Sequence, residues 1–200
     1  MDTLILAVAV LLVLRSITAT AQRRRVQLLA QHLSPLRIEP LMGTLMDGYL
    51  RALGETDPER QRQVWAALDQ AEAEVATQLQ RLAASVARMP AEQARVSRLP
   101  IALPLAERVP ALCLDLRRLL DLHARGVAAA HARADLPARD RAYLMSAELL
   151  LMQHSCHRFC KSKTVASARM LARHQTPHAQ LLASVSPETR RSYLALTGPV

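Results

Sequence analysis

Cys156, Cys160, His174 and His178 stand with three, thirteen and three residues between them, in a chain of 200 residues whose remaining cysteine is Cys113. Zinc takes four tetrahedral thiolate and imidazole ligands, and two cysteines followed by two histidines at such intervals let a short stretch of chain close around one ion. The same stretch carries a second group: His154 and His157 lie three apart, as neighbours on one helical surface would, and Glu148 stands alone among leucines just upstream. A carboxylate in an apolar run needs a partner or a raised pKa, which makes Glu148 with His154 and His157 the material for acid–base chemistry in an enzyme without a recognisable motif. The third reading is electrostatic. No carboxylate occurs between Glu148 and Glu188, whereas Arg158, Lys161, Lys163, Arg169 and Arg173 all fall in that gap. Such a segment projects a positive field toward an anionic surface, an acidic protein or, less favoured, nucleic acid.

The run from Leu171 to His178 resembles the end of a two-cysteine, two-histidine zinc finger, and the likeness covers 23 residues, Cys156 to His178. It implies zinc on the four ligands. It departs from the finger where the finger's core belongs: Thr164 or Val165 replaces the aromatic after the second cysteine, a leucine-rich helix precedes Cys156 in place of a hairpin strand, and Pro177 falls between the histidines. Helical geometry supplies the opposing reading. On one continuous helix Leu149, Met152, Cys156, Cys160, Ser167, Met170 and His174 share a face, and Cys156 and His174 stand about 27 Å apart, too far for one ion. Only a sharp turn around Lys161 to Thr164 would join them, and no glycine or proline marks one. No residue is assigned a catalytic or cofactor-binding role, since Ser146 and Ser155 lack a nucleophile-elbow context and no glycine-rich phosphate loop exists. Accordingly no cofactor is expected, with zinc as the alternative.

The elements that position these residues are helical. Half the residues are hydrophobic, aromatics number five and glycines five, and Ala, Leu, Arg, Glu and Gln dominate. That composition favours helices, excludes an all-β fold, and with three cysteines excludes a disulfide-built scaffold. Ser34-Pro35, Asp57-Pro58, Thr176-Pro177 and Ser186-Pro187 each place a cap residue before a proline, and Pro90 and Pro137 also read as helix openers. From Asp57, apolar residues recur every three or four positions through Leu68, Val75, Leu79, Leu82 and Val86, which predicts one amphipathic helix ending before Pro90. Further helices are predicted from about Val109 to Ala134 and from Pro137 through Met152. Ahead of the first of these a bent connector, Leu99 to Pro110, is expected to pack Ile101, Leu103 and Leu105 on the bundle, and Cys113 is expected in the core.

Leu4 to Leu14 is an unbroken apolar run of eleven residues. Its nine Leu, Ile and Val side chains favour insertion by about −3 to −5 kcal/mol, against about +2.5 to +3.5 for a central arginine. With Met1 to Ala19 buried, Arg15 lies off centre and reaches the headgroups, so insertion wins. The amino-terminal flank carries Asp2 and the other flank Arg23, Arg24 and Arg25, which puts the bulk of the chain in the cytoplasm and these arginines, with Arg15, against headgroups. A cleaved secretory signal ending at Ala19-Thr20-Ala21 and a buried helix of a soluble protein are the competing readings.

The expected architecture is therefore all-α: a transmembrane or hydrophobic anchor helix over residues 1–22, a basic juxtamembrane segment over 23–34, and one multi-helix domain over 35–200 carrying the basic Cys/His segment 154–178. The expected function is that of a non-enzymatic, single-pass inner-membrane interaction or scaffold protein whose basic segment meets an anionic surface or acidic partner. A nucleic-acid-binding module, with or without zinc, is the alternative, and homo-oligomerisation is left open. Formal charge is +9, with 26 basic and 17 acidic side chains, and the near-replacement of lysine by arginine beside abundant alanine suggests a GC-rich bacterial genome.

Overall fold

The computed structural model describes residues 2–104 and 106–198, with the side chains of Asp2 and Glu107 outside the description; Met1 and Leu105, both part of the expectations above, lie outside the described residues. The chain is an apolar amino-terminal helix followed by a helical bundle. Helix α1 (Asp2–Leu33) is continuous, so the expected anchor and juxtamembrane segments form one rod, and its buried contact with the bundle is Leu29 near the foot. Ser34 and Pro35 form the turn that ends α1. Helix α2 (Ile38–Gly54) starts three residues later than the serine–proline signal suggests, with Pro40 in its first turn.

Asp57 and Pro58 open α3 (Pro58–Ala87) as their types predict. The aspartate accepts a hydrogen bond from the Glu59 amide at 2.9 Å, and proline fills a first-turn position whose amide needs no partner. The stripe Leu68, Val75, Leu79, Leu82 and Val86 is buried against α2 on one side and α4 (Leu116–His131) on the other. Helix α5 (Ala138–Cys160) packs on α4 and is covered in turn by α6 (Lys163–His174) and α7 (His178–Ser184), while α8 (Pro187–Thr197) lies on α4.

Four expectations fail between α3 and α4. Pro90 opens a single turn, its carbonyl taking the Gln93 and Ala94 amides, and no helix follows. Instead two three-residue strands, β1 (Arg95–Ser97) and β2 (Cys113–Asp115), pair antiparallel with Val96 opposite Leu114. The helix expected from Val109 begins at Leu116, because Asp115 is its true cap, accepting from the Arg117 amide at 2.9 Å. The Arg117 guanidinium grips the same carboxylate and donates to the Met89 carbonyl at 3.3 Å, tying the exit of α3 to the entry of α4. Ile101 and Leu103 stay 54% and 44% exposed instead of packing inward, and Cys113 is half-buried with its Sγ 3.4 Å from the Val109 carbonyl.

Candidate functional site

The reversal that the zinc reading requires does exist. Helix α5 stops at Cys160, Lys161 breaks the helix at φ −130°, ψ −90°, and Ser162, extended, caps α6 through the Val165 amide at 3.3 Å. A serine cap does the work that neither glycine nor proline was present to do. The turn nevertheless scatters the four expected ligands. Cys156 is buried with its Sγ 3.6 Å from Met152 Sδ, and burial pushes its thiol up to about 12, so it sits as a protonated apolar group. Cys160 is half-buried and lines a cavity at the foot of α1. His178 belongs elsewhere, its ring 4.3 Å from that of His154 and its Nε2 3.4 Å from the Tyr193 hydroxyl. His174 lines a groove with Gln153 and His157. Among the described residues, the group that gathers three metal-type donor atoms within 4.8 Å of one another is Asp69, Glu72 and His131, where Arg141 already pairs with both carboxylates at 3.0 and 3.2 Å.

The proposed acid–base trio is also dispersed. Glu148 is fully buried and accepts the Ser186 amide at 3.0 Å, so it caps the amino-terminal end of α8. Desolvation raises its pKa, and the groups of Ser186 and Thr189 beside it pull the other way. Gly126 on α4 makes the room, since a Cβ there would stand 2.6 Å from Glu148 Oε2 and 2.7 Å from Thr189 Oγ1. His154 pairs through Nε2 with Ser167 Oγ at 3.1 Å, and burial, with help from the nearby cations, holds its pKa down at about 2. His157 faces the groove instead of joining it.

A buried polar network that the sequence reading missed accounts for several of these side chains. His123 Nε2 meets Ser155 Oγ at 2.8 Å with both residues buried, and Tyr193 lies against the rings of His123 and His178. A second knot joins Tyr49 to the buried Glu72 at 2.8 Å, with Arg141 and His131 on the same carboxylate. His123 follows Leu116, Leu119 and Leu120 on the inward stripe of α4, so its burial was legible from spacing although its partner was not.

The expected anion-contacting cations divide in two. Arg158 is buried, donating through Nε and Nη2 to the Ser97 carbonyl at 3.3 and 3.1 Å and to the Arg98 carbonyl at 3.2 Å, and is thus a strut between α5 and β1 instead of a surface contact. Arg25 is likewise folded inward, 5.5 Å over the Phe159 ring and 3.2 Å from the Phe159 carbonyl. Arg169 and Arg173 are exposed, as are Arg15, Arg23 and Arg24 on α1; Lys163 is half-buried. Lys161 Nζ donates to Gln22 Oε1 at 3.0 Å. That contact sets the end of α5 beside the point where α1 leaves the bundle, and Arg23 and Lys161 line the same cavity there.

The chain matches none of the protein-family models, curated proteins or solved structures with which it is compared. Among the described residues, one helix, Thr3–Leu33, is long and apolar enough to cross a membrane, with a mean hydropathy of 2.3 in its most apolar window and none of that window buried.

Proposed function

We propose that the chain is a membrane-tethered helical interaction protein, held by α1 with the bundle on the cytoplasmic side and a basic face turned to an anionic surface or acidic partner. The observation that carries this reading is that Leu4, Ile5, Leu6, Leu11, Leu12 and Val13 are each more than half exposed, on the part of α1 that extends beyond the bundle. An apolar rod of this kind stays in water only at a large hydrophobic cost. A helix from Asp2 to Ala21 rises about 30 Å, the thickness of the hydrocarbon core, which removes the difficulty that the eleven-residue run alone is too short. The arginines past it favour a cytoplasmic bundle.

The bundle end nearest α1 supports the same reading. Thr164 at the start of α6 binds the Pro100 carbonyl through both its amide and its hydroxyl, at 2.9 and 2.8 Å. The connector therefore sits beside Lys161 and Lys163, and its exposed Ile101 and Leu103 are apolar groups next to cations, the composition of an interfacial contact.

The test is fractionation of the intact chain and of a variant lacking residues 1–22. The intact chain is expected in the membrane pellet after a high-salt wash and the truncated one in the soluble fraction. Both remaining in the pellet, or both leaving it, would rule out tethering by this helix.

A further inference from the structure

The foot of α1 does not close against the bundle. Between α1, α2, α5 and α6 lies an open cavity of about 670 Å³, within the range of sites that hold a single small molecule. Its wall is apolar, with Leu29, Met42, Met152 and Cys156 all buried. Its rim is cationic: Arg23 from α1, Lys161 at the end of α5 and Arg169 from α6, against one carboxylate, Glu39. His157 also lines it and keeps a buried Nδ1 that no group among the described residues meets. An apolar trough with three cations and an unanswered imidazole nitrogen at its edge is complementary to an anionic amphiphile and to few other small molecules.

Position selects the source. Lys161 is hydrogen-bonded to Gln22, and Arg23 follows Gln22 on α1. With residues 2–21 in the bilayer, both cations stand within about one helical turn of the headgroups. From this, and resting on the tethered reading above, we propose that the cavity takes one anionic phospholipid drawn from the adjacent leaflet, its phosphate held by Arg23, Lys161 and Arg169 at the membrane end and an acyl chain turned away from the bilayer along Leu29, Met42 and Met152. The bound lipid fills the gap between α1 and the bundle and makes their junction dependent on membrane composition. The nearness of this cationic rim to the leaflet favours a lipid over a peptide as the occupant, and Glu39 is the one carboxylate among the described lining residues.

Cys160 lies in the cavity and provides the readout, and Cys113 on β2, outside it, provides the reference. The full-length protein is reconstituted into vesicles of phosphatidylcholine alone or of an equimolar mixture with phosphatidylglycerol. Flotation records insertion, and peptide mapping after maleimide treatment records the modification rate of each thiol. In the mixed vesicles Cys160 is expected to react at least about fivefold more slowly, as one cation–headgroup contact alone provides, a larger slowing than that of Cys113. Arg23→Gln and Arg169→Gln together, both exposed in the free protein and neutral to folding, are expected to abolish the difference while leaving flotation intact. Protein that floats but shows equal Cys160 rates in both vesicles, or a slowing that survives the double substitution, would overturn the lipid site and leave the tether standing. Protein that does not float in either vesicle would overturn the tether itself.

Discussion

Lowering the pH from 7 to 5 should cost the bundle about 4 kcal/mol of stability, because two histidines are locked in the core as neutral rings. His123 is fully buried, and desolvation takes its pKa from an ordinary 6.5 to about 3. For His154 desolvation is again the largest cause, followed by the charges of His178, Arg158, His157 and Lys163, and the result is about 2. The folded chain binds fewer protons than the unfolded chain below 6.5. Stability is therefore complete above the unfolded value and is lost as pH falls toward the folded one. At pH 5 each ring costs about 2 kcal/mol relative to neutral conditions, and the pair about 4, against a typical domain stability of about 5–15 kcal/mol. His178, lowered to about 4 but partly open to solvent, adds less. Glu148 works in the opposite sense, since a raised carboxyl pKa gives stability as pH falls. Urea unfolding of the detergent-solubilised chain, followed by circular dichroism at half-unit steps, measures the slope. His123→Gln and His154→Gln, which keep a polar atom for Ser155 and Ser167, are each expected to flatten it. A midpoint that does not move between pH 7 and 5, or a slope that neither substitution changes from that of the unsubstituted chain, would refute the neutral-core argument.

Gly126→Ala is expected to destabilise by about 1–3 kcal/mol, because the added methyl meets a carboxylate that is itself buried and cannot swing away. Gly43→Ala on α2 meets nothing within 4 Å and is expected to stabilise by about 0.5–1 kcal/mol, so thermal melts of the two should move in opposite directions. Removing the α3 cap by Asp57→Ala should cost about 1 kcal/mol by the same assay. Arg158→Met leaves the Ser97 and Arg98 carbonyls without their donor and should cost about 1–3 kcal/mol, whereas Arg173→Gln, exposed on α6, should stay within about 0.5 kcal/mol of zero. Replacing Ile101 and Leu103 with aspartate should leave stability unchanged and weaken association of the bundle with anionic vesicles.

The helices were legible wherever local chemistry decides them. The Asp57-Pro58 cap and the apolar period of α3 specify a rod without reference to the rest of the chain, and Ser186-Pro187 does the same for α8. Legibility ended where a local signal lost to a distant partner. Pro90 is a plausible opener until Ala94 binds Leu116 and the chain enters β1, and Asp115 is an ordinary acid until Arg117 reveals it as a cap. The site residues show the same division. Arg158 and Arg25 look like surface charge in a carboxylate-free stretch, but carbonyls of β1 and of the end of α5 consume them, and those lie far away in sequence. The cysteine and histidine spacing predicted convergence because spacing carries no direction. Cys156 and Cys160 turn toward the foot of α1, while His178 turns toward Tyr193.

The most direct test of the tethered arrangement is the depth of α1 in a bilayer. A fluorophore on cysteine introduced by Ala9→Cys, in a background whose native cysteines are replaced by serine, is challenged with a lipid-borne quencher and with an aqueous one, and the same label at Gln31→Cys serves as the comparison. A membrane-spanning α1 requires that position 9 respond to the lipid-borne quencher alone and position 31 to the aqueous one. An aqueous response at position 9, or a mature chain whose mass lacks the first twenty or so residues, would contradict it.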